Sequence, residues 1–438
     1  MKSFRTVMTI VLVLLIGMSW FSIVKGALDT SKEYKMHIQN GDEYYSRELY
    51  QKAINEYKQA IAIKNDDETE EKMLAAYEKS FAEGTIKKKD YANALLELCN
   101  AEPKNIENWK KILEFYISTN DYSAAYSIVG KCRNQGFEDA ELEVLMNKVS
   151  YVYTVKTRAF SDIYMSPSGY YTVCYEGKWG VLDSSGEYIH ECEYEFISPM
   201  NMNGTALLIS SAGNRFVDKN DVVQAIISEK FEKVNAYGNG LIPVQKGKSV
   251  WQYYSVSEDI YVLKEYEYAS SFIDRKAVVK QQGKWTIINT NGEVYGEEVF
   301  DDVKCLNDGT YIYSDIMIAS KGGNYSIYDA EKLVETDVVM KDADVYLGSY
   351  IAYQDESGKW GFINKKGKVV IEPQFENAKS FANGLAAVCK EDLWGFINKK
   401  GDVVIDYQFC DAEYFTKGGI CLVSRSEGVY QVIELKFN

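Results

Sequence analysis

Acid–base or metal chemistry in this chain would first be sought at its two histidines, His37 and His190. His190 lies in a His-Glu-Cys run that leaves only one residue between possible ligands, which is poor spacing for a metal site, and we expect a strand histidine. His37 falls in a helical pattern, where packing is the expected role. The sequence has no GxSxG, P-loop, HExxH or GxGxxG motif. It therefore predicts no catalytic residue, cofactor site or metal site.

Paired carboxylates are the remaining catalytic candidates, because two of them can carry out glycoside hydrolysis. Pairs such as Asp66-Asp67 and Asp301-Asp302 lack the spacing of a calcium loop, and nothing distinguishes one pair among the 64 acidic residues. The net charge of −15 and pI near 4.9 argue against nucleic acid as a partner. This charge serves solubility or attracts a cationic partner, and the sequence leaves both open.

The first 26 residues differ from the rest of the chain. Lys2 and Arg5 precede an uncharged apolar stretch from Thr6 to Val24, which is just long enough to span a bilayer. Lys25 would be a poor residue before a signal-peptidase cut, so we expect an uncleaved signal anchor over 1–26, with a cleaved signal peptide as the alternative. Either reading places the remainder of the chain outside the cytoplasm, on the membrane or secreted.

Eight cysteines are present, none of them in a CxxC pair. An even number in an exported chain is compatible with disulfides. The competing interpretation is that they are free, buried thiols, because several occupy apolar repeat positions. These are Cys132, Cys174, Cys389 and Cys421.

Residues 28–150 show helical periodicity, with small and aromatic residues recurring three and four apart. Two runs show the pattern clearly: Gly41, Tyr44, Tyr50, Ala53, Tyr57, Ala60, and Trp109, Leu113, Tyr116, Tyr122, Ala125, Val129, Cys132; a weaker one is Tyr91, Ala94, Leu98, Ala101. Their order and spacing resemble the tetratricopeptide (TPR) repeat, which implies an α-solenoid of helix pairs. The glycine of the consensus is replaced by Ala82 in copy two and by Leu113 in copy three.

A TPR-like solenoid implies a concave groove lined by the first helix of each pair. The resemblance places five residues there, either as a peptide-binding groove or as solvated positions on a spacer: Lys35, Asp42, Tyr45, Lys110 and Glu114. The lysine of the carboxylate clamp found in some TPR domains is replaced by Ile38.

Residues 151–438 repeat a β-rich unit of about 35 residues eight times. Adjacent copies read GKWGFINKKGKVVIEPQF from Gly358 and LWGFINKKGDVVIDYQF from Leu393, with an Asn-Lys-Lys-Gly hairpin in each. Successive units are 35, 37, 34, 40, 35, 34 and 36 residues apart when aligned on their anchors: Trp179, Asn214, Trp251, Trp285, Tyr325, Trp360, Trp394 and Tyr430.

These units resemble the WG repeat family, named for its Trp-Gly pair and found in many bacterial proteins without an assigned reaction. The full pair occurs as Trp179-Gly180, Trp360-Gly361 and Trp394-Gly395; Trp251 and Trp285 retain only the tryptophan. We expect these anchors to be structural, with the ring packing between units and the glycine allowing close approach. Exposed rings that stack on sugars are the alternative.

The two ends of the array are complementary. The last unit stops after its Tyr430 strand, whereas Tyr151–Val155 precedes Phe160 and aligns with the strand that the C-terminus lacks. The fold class is therefore predicted as multidomain α + β, with an α-solenoid followed by a closed, β-propeller-like ring of about eight units. An open β-solenoid is the alternative.

Two repeat arrays without a catalytic constellation predict a non-enzymatic, membrane-anchored binding or scaffold protein. Its partner would be a protein or a component of the cell envelope. A carbohydrate-binding or carbohydrate-processing propeller outside the cytoplasm is the second hypothesis, since tyrosine, tryptophan and acidic loops are abundant.

Overall fold

The computed structural model describes residues 30–64, 66–167, 169–231, 233–329, 333–334 and 338–437. The predicted anchor or signal segment, 1–26, lies outside them. By internal contacts the chain divides into two units, Met1–Ser150 and Tyr151–Asn438. Among the described helices, none has both the length and the apolar character that crossing a bilayer requires.

The described part of the first unit is helical, and consecutive helices pack against each other. Its seven helices are α1 (described over 30–46), α2 (Tyr50–Ile63), α3 (Asp67–Ala82), α4 (Lys88–Ala101), α5 (Ile106–Ser118), α6 (Tyr122–Gln135) and α7 (Ala140–Ser150). Asp66 caps the N-terminus of helix α3 by accepting a hydrogen bond from the Thr69 N–H. Helix α6 ends at Gly136 in the left-handed conformation, φ +67°.

Gly41 shows why small residues recur in this unit. A Cβ atom at Gly41 of α1 would lie 2.4 Å from the Tyr57 ring of α2, closer than two carbon atoms can approach. The ring itself is 1% exposed. The recurrence of small and aromatic residues in this unit therefore reflects close contacts between helices.

The second unit is a β-propeller of eight blades, seven with four strands and one with five, and the repeats predicted this architecture. Blade 1 contains β2 (Asp162–Met165), β3 (Tyr171–Tyr175), β4 (Lys178–Leu182) and β5 (Tyr188–Tyr194), and blade 2 contains β6 (Phe196–Ile197), β7 (Thr205–Ser210), β8 (Gly213–Asp218) and β9 (Val223–Ile227). Blade 3 contains β10 (Lys233–Val234), β11 (Leu241–Gly247), β12 (Val250–Ser255) and β13 (Ile260–Tyr266). Blade 4 contains β14 (Tyr268–Ala269), β15 (Lys276–Gln281), β16 (Lys284–Asn289) and β17 (Val294–Phe300).

Blades 5 to 7 follow in the same strand order, with β19 added beside β20 in blade 5. Blade 5 contains β18 (Asp302–Val303), β19 (Ile312–Tyr313), β20 (Ile316–Lys321), β21 (Asn324–Tyr328) and β22 (Leu333–Val334). Blade 6 contains β23 (Asp342–Ala343), β24 (Ile351–Gln354), β25 (Trp360–Ile363) and β26 (Val369–Phe375). Blade 7 contains β27 (Asn377–Ala378), β28 (Leu385–Lys390), β29 (Leu393–Asn398) and β30 (Val403–Phe409).

Blade 8 closes the ring with strands from both ends of the unit. It contains β31 (Asp411–Ala412), β32 (Ile420–Ser426), β33 (Val429–Leu435) and, as its outer strand, β1 (Tyr153–Phe160). Strand β1 pairs antiparallel with β33, and Phe160 lies opposite Tyr430. The predicted complementation is confirmed, and the closing strand extends further than Tyr151–Val155, as far as Phe160.

The first strand of each blade is its inner strand. Residues at or just after the ends of these strands, from five blades, form one buried cluster: Met165, Leu306, Val345, Ala382 and Tyr414. Only loops that meet at the ring axis can bring five blades together. The hairpin between the third and outer strands lies at the same end, since the Thr416 hydroxyl in the inner loop of blade 8 donates to the Ser184 carbonyl in the hairpin of blade 1, 2.6 Å. We call this end the convergent face.

The Trp-Gly pair is explained by a bulge in the outer strand. Trp394 lies opposite Phe409 and Phe396 opposite Ile405, so two extra residues of β30 oppose Gly395. A Cβ atom on Gly395 would lie 2.7 Å from the Ile405 carbonyl oxygen. In blade 2 the equivalent residue, Arg215, pairs regularly and no bulge opposes it.

Replacing Gly395 with alanine should therefore destabilise the propeller. The new methyl group would collide with backbone atoms that cannot rotate away, at a cost of about 1–3 kcal/mol. Gly247→Ala is the matched control, because a methyl group added at Gly247 would meet no atom within 4 Å and the residue has no positive φ. The measurement is the midpoint of thermal unfolding by near-ultraviolet circular dichroism; equal midpoints for the two variants would refute the explanation.

Candidate functional site

A groove of about 800 Å³ separates α3 from α5 in the helical unit. Its walls come from these two helices and from Tyr91 at the start of α4: Glu71, Leu74, Ala75, Glu78, Phe81, Ala82, Tyr91, Lys111, Glu114, Phe115 and Ser118. The volume lies within the range of pockets that bind small molecules or peptide side chains.

Three aromatic rings form the apolar wall of the groove. The Phe115 ring lies 4.8 Å from that of Tyr91 and 5.3 Å from that of Phe81, both edge to face, and Phe81 and Tyr91 stack at 5.6 Å. Burial, followed by the charge of Glu78, raises the pKa of Tyr91 to about 12. The Tyr91 hydroxyl is therefore protonated at neutral pH and makes no hydrogen bond within the described part of the chain.

Carboxylates dominate the rim of the groove. Glu71, Glu78 and Glu114 are exposed, and Lys111 is the basic residue among the lining side chains. A smaller adjoining recess shares Glu71, Leu74 and Lys111 and is lined by more acids: Asp67, Glu70, Glu102 and Glu107. Neighbouring like charges with an apolar floor favour a cationic, partly apolar ligand.

Of the five residues predicted for a peptide groove, Glu114 lies in this one. Lys110 does not line it: its side chain is 9% exposed, and its ammonium contacts Glu141 at 2.7 Å, Glu107 at 3.0 Å and Asp139 at 3.1 Å. Lys110 thus joins α5 to the start of α7. Aligning the TPR consensus with the sequence did not predict this ion pairing, because the pairing depends on how α7 packs against α5.

The other three predicted residues lie on α1. Asp42 accepts a hydrogen bond from the Tyr57 hydroxyl at 2.8 Å and pairs with Lys72 at 2.9 Å. The Tyr45 ring packs edge to face on Tyr50, and Lys35 is exposed. The structure therefore does not gather the five into one site, and the aromatic wall was missed although Tyr91 belonged to the weak second repeat.

In the propeller, the inner loop of blade 5 is unusually long. Trp285 and Tyr325 are 40 residues apart, against 34 for Trp360 and Trp394. The six additional residues lie between β18 and β20, which are separated by 12 residues where β27 and β28 are separated by six. The longest repeat interval thus marks a local insertion in one loop, which we call the plug loop (304–315).

The plug loop reaches the opposite side of the ring. Asn307 accepts a hydrogen bond from the Met165 N–H at 3.2 Å and donates to the Ile163 carbonyl at 3.2 Å, and both partners belong to blade 1. The Asp308 carbonyl accepts from the Ala236 N–H of blade 3 at 2.8 Å. The loop therefore fixes blades 1, 3 and 5 to one another at the axis.

Asp308 carries a buried carboxyl group at this junction. The side chain is 1% exposed and accepts hydrogen bonds from the N–H and hydroxyl of Thr310, at 2.8 and 3.0 Å. Burial raises the pKa of Asp308 to about 6, although these hydrogen bonds oppose the shift. Asp308 and Thr310 line a pocket of about 250 Å³ that inner loops of blades 1 to 4 complete.

The repeat tryptophans pack between blades. The rings of Trp251, Trp285, Trp360 and Trp394 are 4–9% exposed. The half-buried Trp179 stacks on Tyr164 and contacts Phe196 of the next blade edge to face, both at 5.5 Å between ring centroids. The four buried rings offer no open face for stacking on a sugar.

The histidines are used structurally. His37 Nδ1 lies 2.7 Å from a Glu56 carboxylate oxygen. His190 is 5% exposed, and burial lowers its pKa. Within the described ranges, no group of three or more histidine, cysteine or acidic residues is arranged to hold a metal ion.

All eight cysteines are free thiols in the structure. Cys410 is exposed, and Cys192 and Cys305 are partly exposed. The others are buried: Cys99, Cys132, Cys174, Cys389 and Cys421.

Comparison with known proteins agrees with the repeat pattern. The family model for the WG containing repeat matches residues 179–207, 360–394 and 394–427. The propeller contains WG repeats. Each matched segment begins at the tryptophan of one blade and ends in the next blade, in or beyond its second strand, so the WG repeat unit is offset from the blade.

Solved structures also resemble this chain. The C-terminal WD40 domain of Sif2 aligns at 10% identity with a TM-score of 0.40, covering 65% of this chain and 99% of that one. No curated protein matches the sequence.

The buried carboxyl of Asp308 predicts a pH-dependent contribution to stability. Because its pKa of about 6 exceeds the ordinary 3.8, the folded protein binds more protons than the unfolded chain between about pH 4 and 6. Its contribution to stability therefore falls as pH rises through that window. We expect the melting temperature of Asp308→Asn, minus that of the unmodified protein, to increase from pH 4 to pH 7.

Asp301→Asn is the control for this measurement. Lys284 and the Gly322 N–H lower the pKa of Asp301, so its contribution to stability is lost in acid and present at neutral pH. The corresponding difference for Asp301→Asn should decrease as pH rises. A pH-independent difference for Asp308→Asn would contradict the assignment of a buried carboxyl group with a raised pKa.

Proposed function

We propose that this protein is a non-enzymatic binding and scaffold protein whose helical unit holds a basic peptide segment. The observation that carries the proposal is the groove between α3 and α5, where three exposed carboxylates and one lysine surround an aromatic wall. A basic segment with apolar side chains is complementary to both features.

The details of the wall support a peptide rather than a free cation. Phe81, Tyr91 and Phe115 provide edges and faces against which an apolar side chain packs. Glu78 lies close enough to Tyr91 to influence its pKa, so a lysine or arginine of the ligand would meet a carboxylate and an aromatic ring together. The Tyr91 hydroxyl is available to donate a hydrogen bond to a ligand carbonyl.

We extend this proposal to a scaffold with two binding sites, one in the helical unit and one in the propeller. Groove and propeller would each bind a partner, which we expect to be a protein or a cell-envelope component. The TPR-like character of the helices, suggested by the spacing around Gly41 and Tyr57, is part of this proposal. A carbohydrate-binding propeller is the less favoured function, because the repeat tryptophan rings are buried.

We further propose that the N-terminal segment anchors the chain to a membrane with both units outside the cytoplasm. The support is the sequence pattern of Lys2 and Arg5 before the apolar stretch Thr6–Val24. Protease added to intact cells should degrade both units; protection of both until the cells are lysed would contradict this arrangement.

Reversing charge in the groove should weaken binding of a basic peptide. The probe is a fluorescein-labelled peptide with alternating lysine and leucine, and the measurement is fluorescence anisotropy. Glu78→Lys combined with Glu114→Lys removes two attractive charges and adds two repulsive ones, and we expect the Kd to rise by about tenfold or more.

The matched control is Glu97→Lys combined with Glu138→Lys, which changes the net charge equally at exposed sites outside the groove. This variant should raise the Kd less than about twofold, since it alters only the long-range field. Equal weakening by both variants would show that net charge, rather than the groove, attracts the peptide.

A further inference from the structure

One end of blades 6 to 8 carries a concentration of exposed lysines. They lie in the hairpins between the third and outer strands of blades 6 and 7 and in the inner loop of blade 8. We call them the lysine patch: Lys365, Lys366, Lys368, Lys399, Lys400 and Lys417.

The hairpins do not need lysine to form. Asn364 Oδ1 accepts the N–H groups of Lys366 and Lys368 at 2.9 and 3.2 Å, and Gly367 supplies the positive φ of +78°. The lysine side chains take no part in this geometry. Blade 1 forms the same turn with Ser184-Ser185, and blade 4 with Thr290-Asn291. Turn chemistry therefore leaves the paired lysines of blades 6 and 7 unexplained.

One lysine of the patch, Lys417, lines a depression on the convergent face. The Lys399 ammonium lies 5.9 Å from the centre of the Tyr350 ring, which places the hairpin of blade 7 beside the inner loop of blade 6. Lys417 and Asn383, from blades 8 and 7, line a pocket of about 230 Å³. Its walls include the apolar side chains of Met165, Leu347 and Ala382.

The two ends of these blades differ in charge, because the opposite end mixes acidic side chains with Lys359, Lys390 and Arg425. The hairpins at the opposite end expose carboxylates: Glu356, Glu391, Asp392 and Glu427. On the convergent face, Asp402 is next to the patch, but its carboxylate accepts a hydrogen bond from Asn398 at 3.0 Å. Within the described residues, Lys365, Lys366, Lys368 and Lys399 form no ion pair. A protein of net charge −15 thus has a basic surface here.

We propose that the lysine patch binds an acidic polypeptide segment, with an apolar side chain of that segment in the adjoining pocket. The lysines supply attraction at separate points along a chain, and the pocket supplies an apolar contact between them. This site is distinct from the helical groove, which has the opposite charge, so either site can fail its test without the other.

The patch is less suited to a phosphate polymer. It contains no arginine to form paired hydrogen bonds with phosphate, and the turn N–H groups that could cradle an anion are already bonded to Asn364 and Asn398. A long polyanion would also extend beyond the patch over an acidic surface. A short acidic segment avoids that repulsion.

The test uses a fluorescein-labelled peptide of glutamates around a central leucine, titrated with the full chain in about 50 mM salt, where screening is modest. We expect saturable binding, and a Kd raised by about tenfold or more in Lys366→Glu combined with Lys399→Glu. Replacing the leucine of the peptide with serine should also weaken binding, because the pocket contact is lost.

Lys359→Glu combined with Lys390→Glu is the matched control. Both residues are exposed and lie at the opposite end of the same two blades, so the charge change is equal. This variant should change the Kd less than about twofold. Equal weakening by the control, or no binding of the acidic peptide, would overturn the proposal.

Two further probes separate the chemical classes of ligand. Inorganic polyphosphate and vesicles of phosphatidylglycerol should compete poorly with the peptide. If either binds through Lys366 and Lys399 and the acidic peptide does not, the patch is an anion-polymer or membrane site and the proposal is wrong.

Discussion

Eight sheets can share one axis only if the last of them is complete, and its fourth strand comes from the other end of the unit. Strand β1 supplies that strand by pairing with β33, from Tyr153 opposite Leu435 to Phe160 opposite Tyr430, with one shift of register between Val155 and Ala159. The Lys436 N–H then donates to the Val152 carbonyl at 2.7 Å. Without this pairing, β33 would present an unpaired edge and the convergent loops would lack a closed frame.

Closure makes the central contacts possible. The plug loop joins blade 5 to blade 1 through Asn307, and the Tyr171 hydroxyl of blade 1 bonds to the Tyr414 carbonyl of blade 8 at 2.5 Å. The Tyr414 hydroxyl in turn donates to Asp344 of blade 6 at 2.8 Å. These bonds connect blades that are distant in sequence, so they depend on the ring being closed.

In the closed ring, the residues that build the blades are different from the residues that are free to bind a partner. The Trp-Gly pairs, the outer-strand bulges and the Asn and Gly residues of the hairpins build the blades. Hairpin positions that no turn requires are then free to carry charge, as Lys366 and Lys399 do. In the helical unit, small residues such as Gly41 permit close packing, while exposed carboxylates such as Glu78 remain available for binding.

Much of the propeller could be predicted from the sequence, because each blade repeats the same local pattern. The anchors from Trp179 to Tyr430 set the number of blades, and the unmatched segment before Phe160 indicated the closing strand. In the sequence, the only sign of the plug loop was one long interval between repeat anchors. Its contacts with blade 1 could not be predicted, because they depend on the geometry of the closed ring.

The helical groove was less predictable than the propeller. Glu114 lies in it, but Lys110 bonds to residues at the start of α7, and the aromatic wall combines side chains from three helices. The lysine patch was visible as two Asn-Lys-Lys-Gly turns, yet only the propeller places them on the same face as Lys417. Contacts between segments far apart in sequence decide both sites.

Amide hydrogen–deuterium exchange of the intact chain tests ring closure most directly. If β1 completes blade 8, the amides of β1 and β33 exchange slowly and together, at rates comparable to those of β29 and β30 in blade 7. If the array is open at this point, β1 exchanges rapidly, as an unpaired segment does, while blade 7 stays protected. That second result would contradict the closed eight-bladed ring.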